Sequence, residues 1–491
     1  MALSRRLSAA FAILALGPAL DACTRHDSSA TRVAMIGDSA APFGPRARGT
    51  PAALLLAASL GEGLVTFDAE GRVVPALADR WIVTDEGQSY IFRLRGAPWG
   101  DGGEMTAESV RNALRGAIAA LKGTPQGASL GAIEDIRAMT ARVIEIRLNR
   151  PMPDFLPLLA QPELVLAHRG KLAGPMAMKA EGHLALLTPV SPEKRGLPAV
   201  DGWDDMARPL RLEVMNGAAA VAAFNAGKLD AVLGGTFANV PHPPRVLGKP
   251  VLRFDPVVGL LGLAVEHEEG LLASAGNREA LSMAIDRAAW AARIGVPGWQ
   301  STTRLIAPGS EADSGLVPER WGDDDLPARR AQAAQRIAAW MKVSGQPALL
   351  RLALPTGPGA DALAGLLAED FAAIGIRVQR VDLRAPADLR LIDEVAGEPR
   401  PEWFLGRFGC ALRPHACSPR ADGLLAAALA APDANMAKPL FAQAERELAG
   451  ENVFLALGAP VRWSLVAGDL SGFVPNRWAI HPLLPMALRS R

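Results

Sequence analysis

The residues most able to do chemistry lie between Trp403 and Arg420. Cys410, His415 and Cys417 fall there within one short loop, with Pro414 inside it. Two thiols so close can form a disulfide, and with the imidazole they could offer three ligands to a metal. The spacing matches no common zinc pattern, and an oxidising compartment favours the disulfide. The stretch also carries Arg407 and Arg413, has Arg420 at its end and contains no acidic residue. A guanidinium presents a planar fork of donors that suits a carboxylate. Elsewhere, Gly357-Pro358-Gly359-Ala360-Asp361-Ala362 reads G-x-G-x-x-A between a strand and a helix, and Asp382 ends the next strand. That pattern can cradle a dinucleotide. Pro358 argues against it, because it removes a backbone N–H from the loop that would hold the phosphates. Trp403 and Trp463 could stack on a ligand or fill a core. The seven histidines show no clustering of the kind a metal or haem site needs.

Elements that would position these residues can be read from periodicity and turn chemistry. Val33–Ile36 reads as a first strand and Pro51–Leu60 as a short apolar helix. Trp81–Thr84 and Ser89–Arg95 form a hairpin around Asp85-Glu86-Gly87. The return strand alternates Tyr90, Phe92 and Leu94 with Ile91, Arg93 and Arg95, as a strand with one buried face does. Thr106 is placed to cap a helix running through Val110, Leu114 and Ile118. Val143–Leu148 alternates in the same way. Ala218–Ala226 reads as a helix stopped by Gly227. Asn277–Ile294 and Pro327–Val343 read as helices. Ala348–Leu354, Ala360–Ile374 and Ile376–Leu383 make a strand–helix–strand unit. The class is α/β.

Length and charge narrow the options further. The chain has 491 residues, enough for two or three domains. Lys+Arg total 52 and Asp+Glu 51, so the surplus of basic charge that nucleic-acid binding needs is missing. At the N-terminus, Arg5 and Arg6 precede an apolar run, Leu7–Leu16, that is too short to span a bilayer. Residues 1–22 are therefore expected to be a signal peptide. Leu20-Asp21-Ala22-Cys23 resembles the lipobox of bacterial lipoproteins, which makes Cys23 the expected lipidation site. Asp21 departs from the usual pattern, and ordinary cleavage near Ala22 is the alternative.

Four segments in order resemble the bacterial extracellular solute-binding proteins of family 5, the dipeptide, oligopeptide and nickel type. They are Gly61-Glu62-Gly63-Leu64-Val65; Val74-Pro75-Ala76-Leu77-Ala78-Asp79-Arg80-Trp81; Asp85-Glu86-Gly87 with the strand to Arg95; and Trp99-Gly100-Asp101-Gly102-Gly103-Glu104-Met105-Thr106-Ala107-Glu108-Ser109-Val110. Later segments are similar to that family too: Glu145–Leu159, Asn277–Arg287, Phe371–Val378 and Leu470–Asn476. Most of these are turns, caps and core faces, which specify a fold more than a site.

The resemblance implies a periplasmic-binding-protein-like fold of type II, with two hinged lobes and an extra α+β domain inserted in the first. On that basis lobe I comprises 23–60, 171–262 and 464–491, the inserted domain 61–170, and lobe II 263–463. It also implies the solute-binding component of an ABC importer. Such a protein takes a peptide or peptide-like ligand between its lobes and delivers it to a permease and ATPase complex. It would work as a monomer in the periplasm, held to the membrane only by the lipid on Cys23. It would need no cofactor and no metal, bind no nucleic acid and catalyse nothing. In peptide-binding relatives a second-lobe loop supplies an aspartate to the ligand ammonium. The matching stretch here is Trp403–Pro419, which is basic, so an anionic ligand group is expected to meet Arg407 or Arg413. Trp403, His415 and Glu62 complete the expected ligand-binding set. A sensor or scaffold that no longer delivers solute is a second reading, and a dinucleotide-dependent enzyme resting on the Gly357 loop is a third.

Overall fold

The computed structural model describes residues 30–37, 43, 50–240, 251–321, 324–412 and 415–489. The expected signal peptide, Cys23 and Arg413 lie outside these residues.

One lobe is built on a seven-stranded mixed sheet. Its centre is the strand Thr31–Ile36, parallel to Leu210–Met215 on one side and to Ala231–Thr236 on the other. The hairpin Met176–Glu181 and Leu184–Pro189 extends one edge, and Arg462–Val466 with Leu252–Phe254 the other. Val33 and Ala34 are fully buried, as a continuous apolar run in a central strand requires. Helix Pro51–Leu60 follows the central strand. Its start is fixed by Pro51 at the first helical position and by the Thr50 hydroxyl, which accepts from the Ala53 N–H.

The second lobe has a five-stranded sheet ordered Arg377–Asp382, Leu349–Leu354, Leu389–Val395, Gly259–Val265, Phe454–Gly458. Leu349–Leu354 and Arg377–Asp382 are parallel and joined by helix Pro358–Ala372. Gly259–Val265 is buried along its whole length.

A third unit carries an antiparallel four-stranded sheet ordered Ala78–Thr84, Ser89–Leu94, Val143–Leu148, Ile133–Thr140. Helix Ala107–Ala120 covers it, opened by a capping box between Thr106 and Ser109. Tyr90, Phe92, Leu94, Ile144, Ile146 and Leu148 all point into a separate core. The chain runs between the two large sheets twice. Residues 255–258 join Leu252–Phe254 to Gly259–Val265, and residues 459–461 join Phe454–Gly458 to Arg462–Val466.

Two details depart from the sequence reading. The helix expected over Asn277–Ile294 is two helices, Ala275–Ala284 and Arg287–Ile294. Ile285 between them is extended, and the Asp286 carboxylate accepts from the Ala289 N–H to start the second. A good N-cap inside an apolar-periodic run thus divides it. The glycines of the dinucleotide-like loop have a packing role instead. A Cβ on Gly357 would lie 2.3 Å from the Ala238 carbonyl oxygen, and one on Gly359 would lie 1.9 Å from that of Phe237. First-lobe backbone therefore occupies the space a phosphate would need, and the fingerprint has no nucleotide to explain. Among the described residues, no helix is long and apolar enough to cross a membrane.

Candidate ligand cleft

A cavity of about 750 Å³ lies where the three units meet. The first lobe contributes Met35 and Leu233–Gly234, from the carboxyl ends of its parallel strands, and the first turn of helix Pro51–Leu60. Carboxyl ends of parallel strands are where ligands of open α/β sheets bind, because connecting loops diverge there. The second lobe contributes residues 393–397 and Trp403, and the third unit contributes 124–126, Leu158 and 161–163. Trp478–His481 closes one side. This segment is firmly held: Asn476 N–H donates to Asp255 Oδ1 at 2.9 Å, and His481 Nε2 meets Asp255 Oδ2 at 3.2 Å. Asp255 begins one of the two lobe crossings, so the wall and the crossing share an anchor.

The lining is chiefly apolar, with its charge concentrated in a few groups. Arg462, next to the other crossing, donates through Nη1 to Asp393 Oδ1 at 2.7 Å and through Nη2 to the Asp393 carbonyl at 2.9 Å. The pair joins the two large sheets. Burial nevertheless pushes the Asp393 carboxyl up from its ordinary pKa, with Arg462 opposing. Glu394 is held by Arg407, whose Nε and Nη2 donate to its two oxygens at 2.9 and 3.0 Å. Glu163 sits in the short turn Pro162–Leu164, with Gln126 beside it. Its carboxyl is also pushed up, by burial. Across the cleft, Gln161 Nε2 donates to the Gly397 carbonyl at 3.2 Å, linking the third unit to the second lobe.

The residues expected from the sequence scatter in this frame. Trp403 lines the cavity, buried and set edge-on against Phe404. Arg407 does not line it, and its fork is already occupied by Glu394, so its expected carboxylate partner is internal. His415 is buried beside the ring of Phe408, with Nδ1 3.0 Å from the Ala416 carbonyl, away from the cavity. Glu62 is 4% exposed and lies between Arg95 and Arg195, again away from the cavity. It is a structural tie, since the same residue accepts at its carbonyl from the Leu166 N–H. Cys410 and Cys417 are joined by a disulfide, so neither is a thiolate for a metal. Trp463 is buried, and its indole N–H donates to the Thr236 carbonyl at 2.9 Å.

Reading the sequence alone missed Glu163, Asp393, Glu394 and Arg462. Nothing local marks the last three, and Arg462 meets Asp393 only when the two sheets are brought together. Glu163 did leave a signal. It is the one ionisable residue in the apolar run from Phe155 to Leu166.

Two sheet-based lobes, crossed twice by the chain and closing on a ligand-sized cavity, define a binding protein of the periplasmic type II architecture. Residues 72–195 and 203–390 match the family described as "Bacterial extracellular solute-binding proteins, family 5 Middle". The chain belongs to that family. The fold is shared with OppA of Burkholderia pseudomallei (TM-score 0.79, 17% identity, 94% of this chain and 100% of that one). It is likewise shared with the murein tripeptide binding protein MppA of Escherichia coli (TM-score 0.78, 18% identity, 94% and 99%). A further similarity is to the Escherichia coli protein named "Probable deoxycholate-binding periplasmic protein YgiS". It is 35% identical over 127 residues, spanning 21% of this chain and 23% of that relative.

Proposed function

We propose that this protein is the solute-binding component of an ABC importer and captures a peptide-like ligand in the cleft between its lobes. The observation that carries the reading is the cavity of about 750 Å³, bounded by all three units, with Arg462 beside one lobe crossing in its lining and a wall anchored on Asp255 of the other. A ligand touching both lobes favours the closed arrangement by its contacts to each, and closure is the signal a permease and its ATPase can read. The chain acts in the periplasm, and the lipid on Cys23 keeps it at the membrane. The mainly apolar wall suits apolar side chains. Mass spectrometry of small molecules released from the purified protein tests this reading. Peptides or peptide-like compounds are expected. Release of a nucleotide, or no thermal shift with any peptide pool, would count against it.

A second reading comes from the printed name of the YgiS relative: an amphipathic sterol acid such as deoxycholate. The apolar wall would accept a sterol body. The unpaired Glu163 of the lining disfavours its acid group, since the lining arginine is already held by Asp393.

A further inference from the structure

We propose that Glu163, with Gln126 beside it, recognises a cationic nitrogen, an ammonium or guanidinium, on an otherwise apolar ligand. The inference rests on the solute-binding reading above and assigns the charge of the solute and the residue that selects it.

The charges around the cavity carry the argument. The ionic side chains lining it are Glu163, Asp393 and Glu394 against Arg462, with His481 tied back to Asp255. Asp393 already has Arg462, and Glu394 has Arg407. Glu163 alone among the lining acids has no ion-pair partner among the described residues. Its Oε2 is buried and accepts no well-formed hydrogen bond among the described residues, and the neighbouring Gln126 amide acts on the carboxyl without a well-formed bond from its Nε2. Only its own backbone N–H and the Gln126 amide act on the carboxyl, and no charged side chain does.

Buried acceptors and donors without partners are uncommon, because each loses the hydrogen bonds water would give it. At a cavity wall the missing partner is a group the cavity receives. For Glu163 that group must donate hydrogen bonds, and a positive charge also offsets the net negative lining. Gln126 can donate to an adjoining carbonyl, which suits an amine next to an amide. Arg407, the residue first expected to meet a ligand anion, is neutralised by Glu394, so an anionic group would enter with no free cation to meet it and with the unpaired Glu163 carboxyl nearby. The cationic end then lies on the third unit, and the apolar body extends over Leu233, Trp403 and Trp478.

Raised by burial, the Glu163 carboxyl holds its proton to a higher pH than an ordinary glutamate. A cationic ligand binds the ionised form, so its affinity should increase as pH rises through the titration of Glu163. The probes are two pools of tetrapeptides of Ala, Leu, Phe and Val, one with free N-termini and one N-acetylated, together with deoxycholate. Binding is followed by titration calorimetry and thermal shift for the full mature chain and for E163Q and E163D. The free-amine pool should bind the wild type at least tenfold more tightly than the acetylated pool. E163Q should weaken that binding about ten- to a hundredfold, remove the difference between pools and flatten the pH dependence. E163D should restore part of it. Since a buried unpaired carboxyl is removed, E163Q should melt no lower than the wild type, which separates recognition from folding. Equal binding of both pools, unchanged affinity in E163Q, or a preference for deoxycholate would overturn the inference while leaving solute binding intact. No binding of any probe would overturn the solute-binding reading and this inference with it.

Discussion

At the scale of single residues, ionisable groups fall into those that hold the chain together and those that face the cleft. Glu62 belongs to the first kind. It lies between two guanidinium groups, and Arg95 also donates to the Ala76 carbonyl at 2.6 Å. Removing the acid strands Arg95, which is only 5% exposed. Glu62→Ala should therefore lower the unfolding free energy by about 3–5 kcal/mol, the cost of breaking a buried pair from one side. Denaturant titration would measure this, and ligand affinity at temperatures where the variant is folded should be unchanged. A small loss of stability with a large loss of affinity would instead place Glu62 in recognition. The sequence marked Glu62 because it sits in a family landmark, and landmarks of this kind report the fold. The charges that do face the cavity were hard to read for a physical reason. Asp393 and Arg462 are far apart in the chain and belong to different sheets, so no spacing rule links them. Arg407 looked free because its partner, Glu394, lies outside the loop, on the strand Leu389–Val395 that precedes the helix Pro401–Gly406.

At the scale of elements, the sequence was far more legible. Strands with alternating faces, helices with Thr or Pro starts and the parallel strand–helix–strand unit all depend on neighbours within a few residues. Where local reading failed, a longer-range contact or a competing cap was the cause, as at Ile285–Asp286. Helix Pro358–Ala372 offers a test of the difference, because it contains two glycines in opposite settings. Gly359 abuts the Phe237 carbonyl, whereas Gly365 is exposed with open space around its Cα. Gly359→Ala must push the helix away from the first lobe, and overpacking of this kind costs about 1–3 kcal/mol. In Gly365→Ala the same change adds only helix propensity and should stabilise by roughly 0.5–1 kcal/mol. Thermal melts of the two variants should thus shift in opposite directions. A nucleotide-binding loop predicts something else: G359A would leave stability alone and abolish a thermal shift with NAD that the wild type shows.

At the scale of the whole molecule, a near-neutral chain has buried acids where its units meet, and this makes their association depend on pH. Glu398, in the second lobe, is fully buried. Ser129 and Arg150 of the third unit and Arg400 of its own lobe act to favour its ionised form, while the like charge of Asp154 opposes it. Burial is the largest effect and pushes the carboxyl above its ordinary pKa. Arg150 also reaches Glu402 of the second lobe, with Nη1 and Oε1 3.6 Å apart. The sign of the linkage follows from a folded-state pKa that is raised. Below the usual glutamate range of about 4.3 the group is protonated folded or unfolded, and its favourable contribution is fully present. That contribution is lost as pH rises through the raised value, because the packed arrangement must then hold a charge that solvent would hold more easily. Glu398→Gln keeps the shape of the protonated acid and cannot ionise. The variant should melt with the wild type near pH 4 and above it at pH 7.5, and hydrogen exchange around Gly397 should slow by the same comparison. Only the difference between the two proteins matters, since other carboxyls titrate in both. If the wild type were instead the more stable protein at pH 7.5, the arginines would outweigh burial, and Glu398 would act as an ionised latch between the third unit and the second lobe.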